Sequence, residues 1–178
     1  MYLKDRGVKV QQSSLDDVLM RFVDVTKKFE FQTVVRLIAD CPITNPEVID
    51  EAVELFLNFG VDYVSNSLDR TFARGLDVEV VRPEVLREVA QMDFRPMSRE
   101  HVTYGVYTRT DIYSTNNFHQ NPSFASLRWT VDTQDDLNFV RCVFENLYAK
   151  NANVRQREIL NWLDDFPDFA HYEKGESF

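Results

Sequence analysis

Thr33-Val34-Val35-Arg36-Leu37-Ile38, running on into Ala39-Asp40-Cys41-Pro42, is the stretch on which the fold turns. Its first six residues are β-branched and almost continuously apolar, the pattern of a strand covered on both faces in a parallel sheet. Asp40 stands just past its end. Asn45-Pro46 then offers an N-cap and a first helical residue, and Val48, Ile49, Ala52, Val53, Phe56 and Phe59 recur at helical spacing until Gly60. A buried strand feeding a helix through a short turn is the first part of a βαβ unit. Val61-Asp62-Tyr63-Val64-Ser65 is the next expected strand.

Toward the N-terminus, Val8-Lys9-Val10 reads as a short strand, and Ser13-Ser14 precede a periodic segment. Ser14 and Asp17 have capping-box spacing, and Leu15, Val18, Leu19, Phe22, Val25 and Phe29 form one face expected to lie in the core. Toward the C-terminus, Leu76-Asp77-Val78-Glu79-Val80 alternates as a strand with both carboxylates on one face. Pro83 opens a helix reaching about Gln91, and a helical pattern extends from Arg99 to Tyr107. Leu127-Arg128-Trp129-Thr130-Val131 reads as a strand. Thr133 and Asp136 then make a second capping-box pair ahead of Leu137, Val140, Phe144 and Leu147. After the polar break at 150–153, Ile159, Leu160 and Leu163 predict a last helix stopping near Pro167. Strands alternating with helices imply an α/β protein with a mostly parallel sheet and helices on its faces. A single domain over residues 1–178 is expected, with a helical tail from about 151.

At 178 residues, with 44% hydrophobic and 28% charged, the chain suits one soluble core. No apolar run approaches the roughly 20 residues of a membrane span. The charged start Met1-Tyr2-Leu3-Lys4-Asp5-Arg6 has no apolar stretch behind it, so a secretory signal is not expected and the cytoplasm is. Cys41 and Cys142 lack any CxxC partner and are read as reduced thiols, without a disulfide framework or a zinc site. The net charge of -9 argues against a general nucleic-acid surface. An anionic small ligand would need a divalent cation or well-placed arginines to offset the carboxylates.

Asp40 and Asp132 both follow apolar strands, and open α/β sheets bind ligands outside the carboxyl ends of their strands. Two carboxylates there suit Mg²⁺, which takes one or two protein carboxylates together with substrate phosphates. The competing account is that each aspartate caps or turns the chain. Arg99, Glu100 and His101 form a second cluster: Arg99 suits a phosphate or carboxylate and His101 a hydrogen bond, with a solvated helix end carrying one buried His as the alternative. Glu79 and Asp77 point either into the cleft or onto an exposed strand face. Arg128 serves either a ligand phosphate or a neighbouring acid.

The order of these blocks resembles a known family. Gly7-Val8-Lys9-Val10, Asp16-Asp17-Val18-Leu19-Met20-Arg21-Phe22, Val35 to Pro42 and Pro46-Glu47-Val48-Ile49-Asp50 are similar to successive segments of the spore coat polysaccharide biosynthesis cytidylyltransferases. So are Asp62 to Asn66, Gly75 to Val80, Arg99-Glu100-His101-Val102-Thr103 and Leu127 to Thr133. The resemblance covers Gly7 to about Leu147 and implies a Rossmann-like sheet of the nucleotide-diphospho-sugar transferase type. It also implies CMP transfer from CTP to a sugar acid, with Asp40 holding Mg²⁺ on the nucleotide and Asp132 holding it from the opposite side.

This sequence departs from the family in two ways. Members normally begin with a strand and an Arg/Ser/Gly/Lys-rich loop that cradles the triphosphate, whereas Met1 to Arg6 resembles the tail of a later helix. Ala39 also stands where Gly is usual. The expectation is therefore a sheet lacking the first two βα units, inactive alone, with an open apolar edge covered by a homo-oligomer or a partner chain. The alternative to an enzyme is a non-catalytic remnant acting as a sugar-binding or assembly protein.

Overall fold

Asn45 begins the longest helix as expected: its side chain accepts the Glu47 N–H at 3.0 Å, Pro46 occupies the first turn, and Gly60 ends the helix at φ 64°. The left-handed conformation there favours glycine. The computed structural model describes residues 2–12, 14–29 and 31–170. Within them the helices are α1 (Tyr2–Asp5), α2 (Val18–Lys28), α3 (Pro46–Phe59), α4 (Pro83–Met92), α5 (Pro96–Glu100), α6 (Tyr104–Tyr107), α7 (Gln134–Val143) and α8 (Gln156–Asp165). A π-helix, Phe144–Tyr148, continues α7, and a 3₁₀ turn, Pro167–Phe169, follows α8. The strands are β1 (Val34–Arg36), β2 (Tyr63–Ser65), β3 (Glu79–Val81) and β4 (Thr115–Asn117).

The strands form one open sheet in the order β1-β3-β2-β4. Helices pack on both faces, so the α/β class holds, and the sheet is mixed. β3 runs antiparallel to both β1 and β2, with Val34 opposite Val81 and Tyr63 opposite the same Val81, while β2 and β4 are parallel. Alternation along β3 splits the interior in two. Val78 and Val80 join Val64 in a core closed by α3, α7 and α8 through Ala52, Phe56, Phe139, Val143, Ile159 and Leu163. Tyr63 and Val81 face the opposite core, closed by α2, α4 and α6 through Leu19, Val23, Leu86, Val89 and Val106.

Several expected elements take other forms. β1 is an edge strand, and Val35, Leu37 and Ile38 are 36%, 43% and 37% exposed, so the stretch that reads as a doubly buried parallel strand is covered on one side only. Val8-Lys9-Val10 is irregular and pairs with no described strand, and Val8 is 49% exposed. Leu127–Val131 forms no strand: its ladder contact is a single parallel bridge, Arg74 to Arg128. Ser13 lies outside the described residues. The cap of α2 is Asp17, whose side chain accepts the Met20 N–H at 3.0 Å, and Leu15 stays 85% exposed. The Arg99–Tyr107 pattern breaks into α5 and α6 at Val102, buried with φ 50°. Among the described residues, no helix is long and apolar enough to cross a membrane.

Candidate active site

Asp40 and Asp132 lie in neighbouring turns, tied together by the Val131 N–H donating to the Asp40 carbonyl at 2.8 Å. Asp40 sits in the turn after β1, and Asp132 in the turn before α7; the second turn is reached from an irregular segment rather than from a strand. Between them is Cys41, whose thiol is 3.4 Å from Asp40 Oδ1. Burial pushes this thiol up to about 12, helped by the charge and hydrogen bond of Asp40 and then by the charges of Asp77 and Asp132. Three carboxylates therefore act on one buried thiol. Among the described residues, no group of three or more His, Cys, Asp and Glu side chains is gathered as a metal site. An ion here would have two protein carboxylates at most and would draw its other ligands from phosphate and water, which suits Mg²⁺.

Arg128 lies beside Asp132 and pairs with neighbouring acids, one of the two roles left open by the sequence. Its guanidinium contacts Asp132 and donates from Nε to Asp136 Oδ1 at 3.1 Å. Asp136 is 1% exposed, and its Oδ2 accepts the Asp132 and Thr133 N–H groups at 2.9 and 2.7 Å, while Thr133 Oγ1 accepts the Asp136 N–H at 3.2 Å. This is the expected capping box, and it satisfies the orphan donors at the start of α7. It also fixes the turn that carries Asp132.

Of the other candidate residues, Asp77 stays close enough for its charge to act on Cys41, and the rest lie elsewhere. Glu79 is buried, accepting from Tyr63 Oη at 2.7 Å and Thr103 Oγ1 at 2.5 Å and pairing with Arg36 across the β1–β3 register. It therefore faces the α2/α4 core rather than a cleft or solvent. Asp77 forms a separate pair with Arg70. Arg99 donates to the Ala90 carbonyl at 2.7 Å and stands 3.5 Å from Asp17, so it joins α4, α5 and α2. Glu100 and His101 are exposed at the end of α5, so the alternative of a buried His does not hold.

Residues 3–161 match the sequence profile of the cytidylyltransferase family. The chain belongs to the cytidylyltransferase family. An uncharacterized protein of Methanocaldococcus jannaschii is 30% identical over 169 residues, covering 93% of this chain and 67% of that protein. The Bacillus subtilis spore coat polysaccharide biosynthesis protein SpsF is 25% identical over 170 residues, covering 93% of this chain and 68% of its own length. A solved cytidylyltransferase from Leptospira borgpetersenii superposes with a TM-score of 0.88 at 25% identity, covering 97% of this chain and 73% of that one. The similarity supports a nucleotidyltransferase role.

Sequence reasoning missed two features of this cytidylyltransferase-family chain. Asp136 was visible as a cap, but nothing in its spacing announced that Arg128 would reach the same carboxylate. The second is a groove of about 960 Å³ between α2, the Lys9–Gln11 segment and the end of β1. On the expected α2 face Leu19 enters the core, Val18 and Phe22 pack against that core and also line the groove, and Val25 and Phe29 line the groove.

Proposed function

We propose that this chain transfers CMP from CTP to a sugar acid in cytoplasmic surface-polysaccharide synthesis, with Asp40 and Asp132 facing the nucleotide's phosphates. The observation that carries the reading is the family match over residues 3–161, which includes both aspartates. The relative named for spore coat polysaccharide biosynthesis supports the pathway class. Attack of a sugar hydroxyl on the α-phosphate builds negative charge on phosphate oxygens, and Mg²⁺, held by Asp40 and Asp132, would neutralise it. The Arg128–Asp136 pair holds the Asp132 turn in place, and the Val131–Asp40 hydrogen bond keeps the two turns in register.

The same reading includes a homo-oligomer or a partner chain on the open edge of β1. A second reading, a non-catalytic sugar-binding or assembly protein, is favoured by one observation. Arg99 and Arg128, the arginines expected to meet a phosphate, are engaged by the Ala90 carbonyl, Asp17, Asp132 and Asp136.

The experiment is pyrophosphate release from CTP with Mg²⁺ and a panel of sugar acids, beside isothermal titration of CTP. Turnover that falls at least ~100-fold in Asp40→Asn and in Asp132→Asn supports the transferase reading. Binding of sugar acid without turnover supports the second reading. Unchanged turnover in both variants would remove the aspartates from the site.

A further inference from the structure

The loop between β2 and β3 is pinned along its length. Asn117 Oδ1 accepts the Leu68 and Asp69 N–H groups at 3.0 and 3.2 Å, and Thr71 Oγ1 accepts the Gln120 N–H at 2.9 Å, so the chain is held on either side of Arg70. The Arg74 N–H donates to the Leu127 carbonyl at 2.9 Å, and the Trp129 N–H donates to the Arg74 carbonyl at 2.7 Å. The buried Asn66 side chain donates to the Leu76 carbonyl at 2.8 Å and accepts the Val78 N–H at 3.0 Å, which fixes the backbone on both sides of Asp77. Arg70 and Asp77 meet across this loop, each Nη on its own carboxylate oxygen, with side chains 19% and 15% exposed. A guanidinium held this way loses little further freedom on taking a ligand.

The same loop lies against the candidate site. Trp129 leads through Thr130 and Val131 to Asp132, and Val131 holds the Asp40 carbonyl. The charge of Asp77 reaches Cys41 together with those of Asp40 and Asp132. A guanidinium has five N–H donors, and an end-on pair uses two of them. Arg70 Nε has no partner among the described residues and is not a buried atom. Arg128, by contrast, divides its donors between Asp132 and Asp136. Asp40, Asp77, Asp132 and Asp136 outnumber Arg70 and Arg128 by two, an excess that one divalent cation would balance.

We infer that Arg70 is an anion-receiving residue of the candidate site. Asp77 holds the guanidinium end-on, and the N–H groups left over take an oxyanion of the substrate, either a phosphate of the nucleotide or the carboxylate of the acceptor. This rests on the transferase reading and deepens it, because neither Asp40 nor Asp132 offers a carboxylate oxygen that can donate a hydrogen bond to an anion. Removing Arg70 leaves those two carboxylates in place and adds the unbalanced charge of Asp77 beside them. Cation and anion affinities therefore respond in opposite directions, which the loss of a merely structural contact would not produce.

The test is isothermal titration of the whole chain with Mn²⁺ alone, with CTP, and with glucuronate and N-acetylneuraminate, beside cytidine and glucose as uncharged counterparts. In Arg70→Gln, binding of CTP or of a sugar acid should weaken at least ~10-fold, the scale of a charge-assisted hydrogen bond, while Mn²⁺ binds as tightly as before or more tightly. Whichever ligand weakens identifies the source of the oxyanion. Arg70→Lys, which keeps the charge without the fork, should lose less, and Arg87→Gln, which removes an equal charge from a pair on α4, should change neither affinity. Unchanged affinity for CTP and both sugar acids in Arg70→Gln overturns the inference, as does Mn²⁺ binding that weakens in step with them, an equal loss for cytidine or glucose, or no binding to the parent chain. Pyrophosphate release judges the transferase reading separately. Turnover that persists with unchanged affinities in Arg70→Gln sinks this inference alone, whereas Arg70-dependent binding without turnover sinks the transfer reaction alone.

Discussion

Replacing Asp136 with alanine isolates the group that fixes the candidate site's turn. The carboxylate is 1% exposed and accepts the Asp132 and Thr133 N–H groups at 2.9 and 2.7 Å and Arg128 through Nε at 3.1 Å and Nη2 at 3.4 Å. Loss of an N-terminal cap costs about 1 kcal/mol. Stranding one member of a buried ion pair costs roughly 3–5 kcal/mol, and the lower end applies because Asp132 still faces Arg128, whose side chain is 16% exposed. The sum for Asp136→Ala is about 4 kcal/mol. With a urea m-value of about 2 kcal/mol/M, the unfolding midpoint should fall by ~2 M. The double-mutant cycle with Arg128→Met separates the two parts: in the methionine background the alanine substitution should cost only about 1 kcal/mol. A midpoint shift below ~0.5 M, or strict additivity of the two substitutions, would refute the claim that this pair holds the turn.

Cys41 should resist iodoacetamide at pH 8 in the folded chain and react on unfolding in urea, since its thiol is buried and titrates at about 12. Because the folded value is raised, the folded state holds the proton longer. The contribution is whole below the ordinary thiol value of about 8.5 and is lost as pH rises toward about 12, so Cys41→Ala should flatten the alkaline fall in stability followed by circular dichroism. Gly75→Ala should lower stability by about 3 kcal/mol and the thermal midpoint by roughly 6–12 °C. Its φ is 105°, and a Cβ there would lie 2.7 Å from the Trp129 carbonyl carbon, a backbone atom that cannot swing aside. A melting curve matching the parent would show that the two segments are not packed backbone to backbone.

Local chemistry was legible wherever a few neighbouring residues decide the outcome. Asn45 with Pro46, Gly60 after Phe59, Pro83 at the start of α4, and Thr133 with Asp136 all fix helix ends through contacts no more than four residues apart. Strand direction is not local: Thr33–Ile38 reads as doubly buried because its composition is apolar, yet its pairing with β3 is set by residues some 45 positions away. β4 went unread because Thr115-Asn116-Asn117 has the composition of a turn and is held in the sheet only by β2. At the site, Asp40 and Asp132 could be nominated from their places after apolar runs. The tie through the Val131 N–H is a backbone bond and left no mark on the sequence. Arg99 and Glu79 looked like ligands because charged residues beside apolar runs are ambiguous until their partners, Ala90, Asp17, Tyr63 and Thr103, are in view.

The π-helix that extends α7 acts as a phase shifter. One residue advances an α-helix by about 100°, and a π turn spends one more residue than an α turn, so the chain leaving Phe144–Tyr148 is rotated against the line that α7 would have followed. That rotation lets Leu147 and Tyr148 both pack on the core that already holds Phe139, Val140 and Val143, while Tyr148 stacks on Phe144 at 4.4 Å. It also sets the direction in which the chain departs toward Val154 and α8. The number of residues between 143 and 154 is therefore constrained by angle as well as by length: removing one would turn the exit by a quarter of a circle or more and aim Ile159, Trp162 and Leu163 away from the sheet they now cover.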